Sequence, residues 1–419
     1  MNIKKYFGKL GPGFITGAAD DDPSGIATYS QAGAQFGYGL LWMAFFMLPL
    51  QAAIQEACAR IGAVTGKGIA AILKENGNRK TLYFSVMLLI VANVINIGAD
   101  LGAMAAAAQL IVPVNLLLLT LLFTAIILIL EIFVSYASYA NILKWLCLFL
   151  IAYPVTVFLI KVPWLSLFKK TFFPHVELHY EFLFMIVAIL GTTISPYLFF
   201  WQASEEIEEL YHCRLNNPQF KINRQYVRNI RIDNFFGMLF SEIGTWSIIV
   251  VTATILHGNG IVDIKTAADA AKALEPLVTT FPNAGFVAKL IFAVGIIGLG
   301  FLAIPVLSGS AAYAYCETFN CRASLNFKFK QARCFYGVII VSTVVGLLIN
   351  FFEINPIKAL IYAAVINGVI AVPLILVIAL IAKSEKIMGE YKSKKLSIIF
   401  VWITFFSMAV AAIALLFLL

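Results

Sequence analysis

Long apolar runs recur along almost the whole chain, and the charged residues fall mainly between them. A helix needs about 20 apolar residues to cross the hydrocarbon of a bilayer, and charges mark its ends. Eleven candidate spans can be drawn, at roughly 11–36, 40–63, 82–110, 114–134, 138–161, 181–204, 232–256, 285–315, 335–351, 356–382 and 396–419. Hydrophobic residues make up 61% of the sequence and charged residues 12%, whereas a water-soluble domain carries about 45–50% and about 25%. The expectation is an all-α polytopic membrane protein, one transmembrane domain over 1–419, embedded in a lipid bilayer. Only 161–180, 205–231 and 257–284 are longer linkers, and none is a separate soluble domain.

The net charge of +8 is spread out. With no basic stripe carrying interleaved aromatics, nucleic acid is not an expected partner. The basic residues instead orient the chain. With the N-terminus inside, 23 of the 30 Lys and Arg fall on cytoplasmic ends and loops. That split favours eleven helices, a cytoplasmic N-terminus and an extracytoplasmic C-terminus, in a bacterial-type plasma membrane. The N-terminal stretch is read as mature protein, because Asp20–Asp22 interrupt its apolar run and no small-residue cleavage site follows. The six cysteines form no CxxC pair and are read as free thiols rather than a disulfide framework or zinc site. The glycines of "GIIGLGF" (295–301) lie inside a span and serve helix packing, not nucleotide binding. No nucleophile–base or metalloprotease motif is present, so an enzyme is not expected.

Two spans are interrupted. The first reads "GPGFITGAADDDPSGIATYSQAGAQFGY" and the sixth "FLFMIVAILGTTISPYLFFWQASEE". Pro23 has Ser24 and Gly25 beside it, and Pro196 has Thr192, Thr193 and Ser195. Proline lacks an N–H and clashes with the carbonyl one turn earlier, so each helix opens there. Opened backbone survives at membrane depth only where it is buried in protein or lines a cavity. The breaks lie five spans apart, so the two halves enter the membrane in opposite senses. Matched breaks in inverted halves point to the binding site of a secondary transporter. The repeats would cover roughly 11–161 and 181–382, with 396–419 an added helix.

Asp20, Asp21 and Asp22 directly precede the first break. Successive helical positions differ by about 100°, so all three cannot face one ion. Asp22 is the expected ligand, joined by carbonyls freed at Ala18 and Ala19, in an all-oxygen site suited to a hard divalent cation. Asp21 is expected to line the cytoplasmic vestibule, and Asp20 to cap or pair elsewhere. The sixth span offers Thr192, Thr193, Ser195 and backbone carbonyls, with no thioether or imidazole to favour a transition metal. Asn93, Asn96 and Asp100 recur at helical spacing and mark a polar face of span three. Glu205 is a vestibule candidate, while Glu206, Glu208 and Glu209 are read as a solvated helix end. Asn367 is expected to reach the site on occlusion. Glu56 and Arg60, one turn apart, should pair at the inner end of span two.

"GPGFITGAADDDPSGIATYSQAGAQFGYGLLW" with "CARIGAVTGKGIA" resembles the NRAMP family of divalent-metal transporters. The resemblance implies a LeuT-type 5+5 inverted repeat with helices 1 and 6 broken. The family's first-helix Asp-Pro-Gly-Asn stands here as Asp22-Pro23-Ser24-Gly25, and its sixth-helix Met-Pro-His as Ser195-Pro196-Tyr197. Asp100 remains, but the Glu often found three residues later is Ala103. These departures make the chain most similar to the NRAMP-related magnesium transporters. That branch implies a wider site formed by Gly25, a largely hydrated Mg2+ or Mn2+, and no proton coupling. The metal set would then be Asp22, Ala19, Gly25, Thr192 and Ser195, with Asp21, Thr193, Tyr197, Asp100, Glu205 and Asn367 around it.

The expected function is alternating-access transport of Mg2+, and also Mn2+, uncoupled from protons, with no cofactor and no obligate protein partner. One alternative is a proton-coupled Mn2+/Fe2+ importer. Asp20, Asp21, Asp100 and Glu205 remain to carry protons by another route. A second alternative is an amino-acid or other organic-solute symporter on the same fold.

Overall fold

A computed structural model describes residues 11–134, 150–279, 282–352 and 354–418. All its regular elements there are helical. The first expected span is two short helices, α1 (Pro12–Asp20) and α2 (Pro23–Phe36). Next come α3 (Trp42–Thr65), α4 (Ile69–Asn76), α5 (Arg79–Ala108), α6 (Leu116–Phe133), α7 (Ala152–Leu159) and α8 (Trp164–Phe172). The sixth span is α9 (Tyr180–Thr193) and α10 (Pro196–Asn216). The rest are α11 (Arg224–Ile255), α12 (Ala267–Ala271), α13 (Ala284–Phe319), α14 (Arg333–Ile349), α15 (Pro356–Lys383), α16 (Glu385–Met388) and α17 (Lys395–Leu418).

Eight helical segments among the described residues are long and apolar enough to cross a membrane. A ninth candidate pairs Pro23–Leu40 with Trp42–Thr65 across a 106° bend. The chain is therefore an integral membrane protein. The first half of the expected span at 138–161 falls outside the described residues, as do Lys4, Lys5, Lys9, Lys144 and Cys147. Two expected boundaries move. The seventh span begins at Arg224 rather than 232, and α10 continues to Asn216. In both, polar turns extend a helix that the hydropathy pattern ends early.

Proline alone does not decide where a helix opens. Pro49, Pro305 and Pro373 sit inside continuous helices. Pro23 and Pro196 instead occupy the first position of a new helix, where the missing N–H costs nothing. The Asp22 side chain takes the Gly25 N–H and caps α2.

Both halves of the first span lie along α11, α9 runs along α15, and α5 along α13. Glycine makes the α1–α11 contact possible. A Cβ on Gly17 would run into the Gly237 carbonyl, and one on Gly237 into the Gly13 carbonyl. Asp233 of α11 accepts from the Gly11 and Gly13 N–H groups at 3.1 and 2.8 Å, capping α1 from a neighbouring helix. At the same end of the bundle, Glu56 pairs with Arg60 as expected, and also meets Arg231 at 3.4 Å and the Ser397 hydroxyl at 3.1 Å. One buried carboxylate thus ties α3, α11 and α17 together.

Candidate metal-binding centre

The two broken spans meet at their breaks. The Ser24 hydroxyl of α2 lies 3.0 Å from the Thr192 hydroxyl of α9, and the Tyr29 hydroxyl lies 2.8 Å from that of Thr193. The missing side chain of Gly25 faces Thr192 Oγ1 and the Asp20 carbonyl. A glycine there leaves room between the breaks.

Asp22 is buried in this space. Its Oδ1 accepts from the Ser24 hydroxyl at 2.5 Å and the Gly25 N–H at 2.8 Å. Its Oδ2 accepts from the Asn96 amide at 3.1 Å and the Tyr197 hydroxyl at 3.2 Å. Four donors surround the roughly four acceptor positions of a carboxylate. The same Tyr197 hydroxyl lies 3.1 Å from the Ala19 carbonyl, so its single proton is shared between Asp22 and Ala19 and one phenol spans both halves of the first span. Asn367 donates to Asn96 Oδ1 at 3.4 Å. Through Asn96 it adjoins the centre in this structure.

The neighbouring carboxylates are placed differently. Asp20 takes the Gln51 amide and the Ser241 hydroxyl, each at 2.6 Å. Asp21 takes Ser241 at 3.2 Å and is fully buried. The expectation that Asp21 lines a vestibule therefore does not hold here, because α11 covers it. Ser195 also turns away, donating to the Gly191 and Thr192 carbonyls at 2.7 Å. It satisfies backbone freed by the break rather than facing Asp22. Glu206, read as solvated, is buried and accepts from Gln202 at 3.0 Å. Glu209 is exposed as expected, and Glu205 is buried.

Asp100 is buried near enough to feel the charge of Asp22, and neither of its oxygens has a partner among the described residues. The same is true of Glu242, which lies in the field of Asp20 and Asp21. Sequence reasoning passed over Glu242, Ser241 and Gln51. For Glu242 a signal existed, since an acid inside an apolar span marks a functional position. The environment can hold a cation through carboxylate, hydroxyl, amide and carbonyl oxygens, a donor set that suits hard ions.

The family model for Natural resistance-associated macrophage protein-like (Nramp) proteins matches residues 13–418. A divalent metal cation transporter, MntH, from Caldanaerobacter subterraneus subsp. tengcongensis is 24% identical over 397 residues, covering 93% of this chain and 88% of the relative. A manganese transporter from Eremococcus coleocola superposes with a TM-score of 0.73 at 15% identity, covering 97% of this chain and 85% of the other. MhsT, solved with L-phenylalanine, superposes with a TM-score of 0.62 at 10% identity, covering 96% and 98%. These likenesses establish the LeuT-type fold, which is shared by carriers of quite different solutes, so the fold does not choose among them. The family match does narrow the class: with it, the chain belongs to the Nramp family, a family of transporters rather than enzymes.

Proposed function

We propose that this protein carries divalent metal cations across the membrane by alternating access, with the ion held at Asp22 between the two helix breaks. The observation that carries this reading is the buried Asp22 carboxylate, ringed by Ser24, Asn96, Tyr197 and the Gly25 N–H beside the Thr192 hydroxyl. Those groups fill the carboxylate in this state, so ion binding displaces Asn96 or Tyr197, or proceeds through a retained water shell. Ala19, Gly25 and Thr192 complete the proposed metal set, with Asp21, Thr193, Tyr197, Asp100, Glu205 and Asn367 around it, while Ser195 is left out because its hydroxyl bonds its own backbone.

Sulfur and imidazole are missing from this donor set, and a set without them discriminates weakly between Mn2+ and Mg2+. Transport of Mg2+ as well as Mn2+, uncoupled from protons, is the reading the donor chemistry favours. The names of the relatives favour Mn2+. A proton-coupled Mn2+ importer is the second reading, and Asp100 and Glu242, buried with oxygens that have no partner among the described residues, support it. The proposed architecture is one domain with inverted repeats at 11–161 and 181–382 plus the helix at 396–419. The N-terminus is cytoplasmic, the C-terminus extracytoplasmic, and no obligate protein partner is needed. Glu56, Arg60, Arg231 and Ser397 meet at one end of the bundle, and the surplus of Lys and Arg in the loops supports reading that end as the cytoplasmic one.

Proteoliposomes reporting internal metal and internal pH together test the two readings. Mg2+ and Mn2+ uptake without acidification supports the uncoupled carrier. Mn2+ uptake with acidification and no Mg2+ uptake replaces it with the coupled importer, and movement of neither ion overturns both.

A further inference from the structure

The sequence scatters its cysteines, but the fold gathers three of them. The thiols of Cys316, Cys321 and Cys334 lie within 4.8 Å of one another, and Cys316 Sγ is 3.9 Å from Cys334 Sγ. Local geometry builds this cluster. Asn320 ends α13 in the left-handed conformation at φ 57°, and the Cys321 N–H returns to the Cys316 carbonyl at 2.9 Å. This Schellman-type turn folds Cys321 back beside Cys316. Cys334, the second residue of α14, closes the group from the other side of the linker. Cys316 is buried, Cys321 and Cys334 are half-buried, and none is in a disulfide. Cys316 is therefore shielded, while Cys321 and Cys334 leave the cluster open to solvent on one side.

We propose that this cluster is a binding site for a soft, thiophilic metal ion such as Zn2+, distinct from the oxygen-lined centre at Asp22. Thiolates bind such an ion at about 2.3 Å, which sets neighbouring sulfurs about 3.8–4.0 Å apart. The Cys316–Cys334 separation already matches, and the full cluster needs only a small contraction. Three thiolates select soft ions over Mg2+ and leave a zinc-like ion one position for water. Binding releases the thiol protons and changes no oxidation state. The bound ion would clamp α13 to α14. It would also stiffen the linker between them, whose Asn326 holds Glu208 of α10 at 2.8 Å.

The test uses the full chain, purified in detergent, reduced and kept anaerobic, and titrated with Cd2+. Wild type should gain the ultraviolet thiolate-to-cadmium band, saturating at one ion per chain, with a raised melting temperature. Zn2+ should abolish the band, and Mg2+ should leave it. Cys316→Ser, Cys321→Ser and Cys334→Ser should each weaken binding by more than the roughly 10–100-fold that loss of an outer-sphere partner costs. Cys321→Ser lies in the linker and keeps the test valid if a helix variant misfolds. Asp22→Asn should keep the band, which separates this site from the transport centre. The proposal is overturned by a fully reduced wild type that shows no band, or by a band that survives Cys321→Ser with undiminished affinity.

Discussion

Substituting Asp22 by asparagine separates its two roles, capping a helix and holding a cation. The carboxamide keeps the shape and one acceptor oxygen, so the bonds from Ser24 and the Gly25 N–H can persist. Its NH2 group then replaces Oδ2, where Asn96 and Tyr197 both donate. Tyr197 can rotate its hydroxyl, and the mismatch with Asn96 costs about 1–3 kcal/mol. The cation loses more. A carboxylate charge about 4 Å from a divalent cation is worth about 8 kcal/mol at an effective dielectric of about 20, or roughly six decades in affinity before the cost of stripping water from the ion. Asp22→Asn should therefore melt within a few degrees of wild type in detergent, yet take up Mn2+ and Mg2+ at least ~100-fold more slowly at limiting ion. Ser24→Ala keeps the charge and loses one hydroxyl, so its uptake should fall by no more than about tenfold. The assay is initial uptake into proteoliposomes at matched protein density. A well-folded Asp22→Asn within ~3-fold of wild type would reduce Asp22 to a helix cap and refute the reasoning.

Tyr197→Phe removes the bridge between Asp22 and the Ala19 carbonyl. It should cost about 1 kcal/mol of stability and shift the apparent KM for the ion more than the maximal rate, read from uptake against ion concentration. Glu56→Gln leaves Arg60 buried without its anion and loosens α17, at a cost of about 3–5 kcal/mol. A melting temperature unchanged from wild type would remove Glu56 from that role. Asp269 lies in the linker before α13. Burial pushes its carboxyl up, but the Lys272 ammonium and the Thr266 donors outweigh this and hold it below the usual range. A depressed carboxyl stabilises the fold above its unfolded value of about 3.9 and loses that contribution as pH falls through the folded value. Hydrogen exchange at residues 266–271 should therefore be pH-independent in opening free energy above about pH 5 and show easier opening in stronger acid. Asp269→Asn should remove that difference.

Apolar runs about as long as a bilayer is thick made the fold class legible in the sequence, because about 20 consecutive apolar residues suit a helix, which satisfies its own backbone in lipid, and not the short alternating strands of a barrel. Pro23 and Pro196, with hydroxyl residues beside them, located both breaks to within a residue or two. Asp22 was legible as the central carboxylate for the same reason: an acid at an opened helix needs local donors. Tertiary structure decided which of the polar neighbours reach it. Pro49, Pro305 and Pro373 have the same chemistry as the breaking prolines, but their helices stay continuous. Asp21 looked like a vestibule residue until α11 covered it, and Ser195 looked like a ligand until it bonded its own backbone. Glu242 and Gln51 reach the aspartates from segments far from them in the chain, and the three cysteines meet only because the turn after α13 and the start of α14 fold back on each other. Local pattern encodes burial and backbone conformation, but a contact between distant segments depends on how whole helices pack, which no short stretch of sequence specifies.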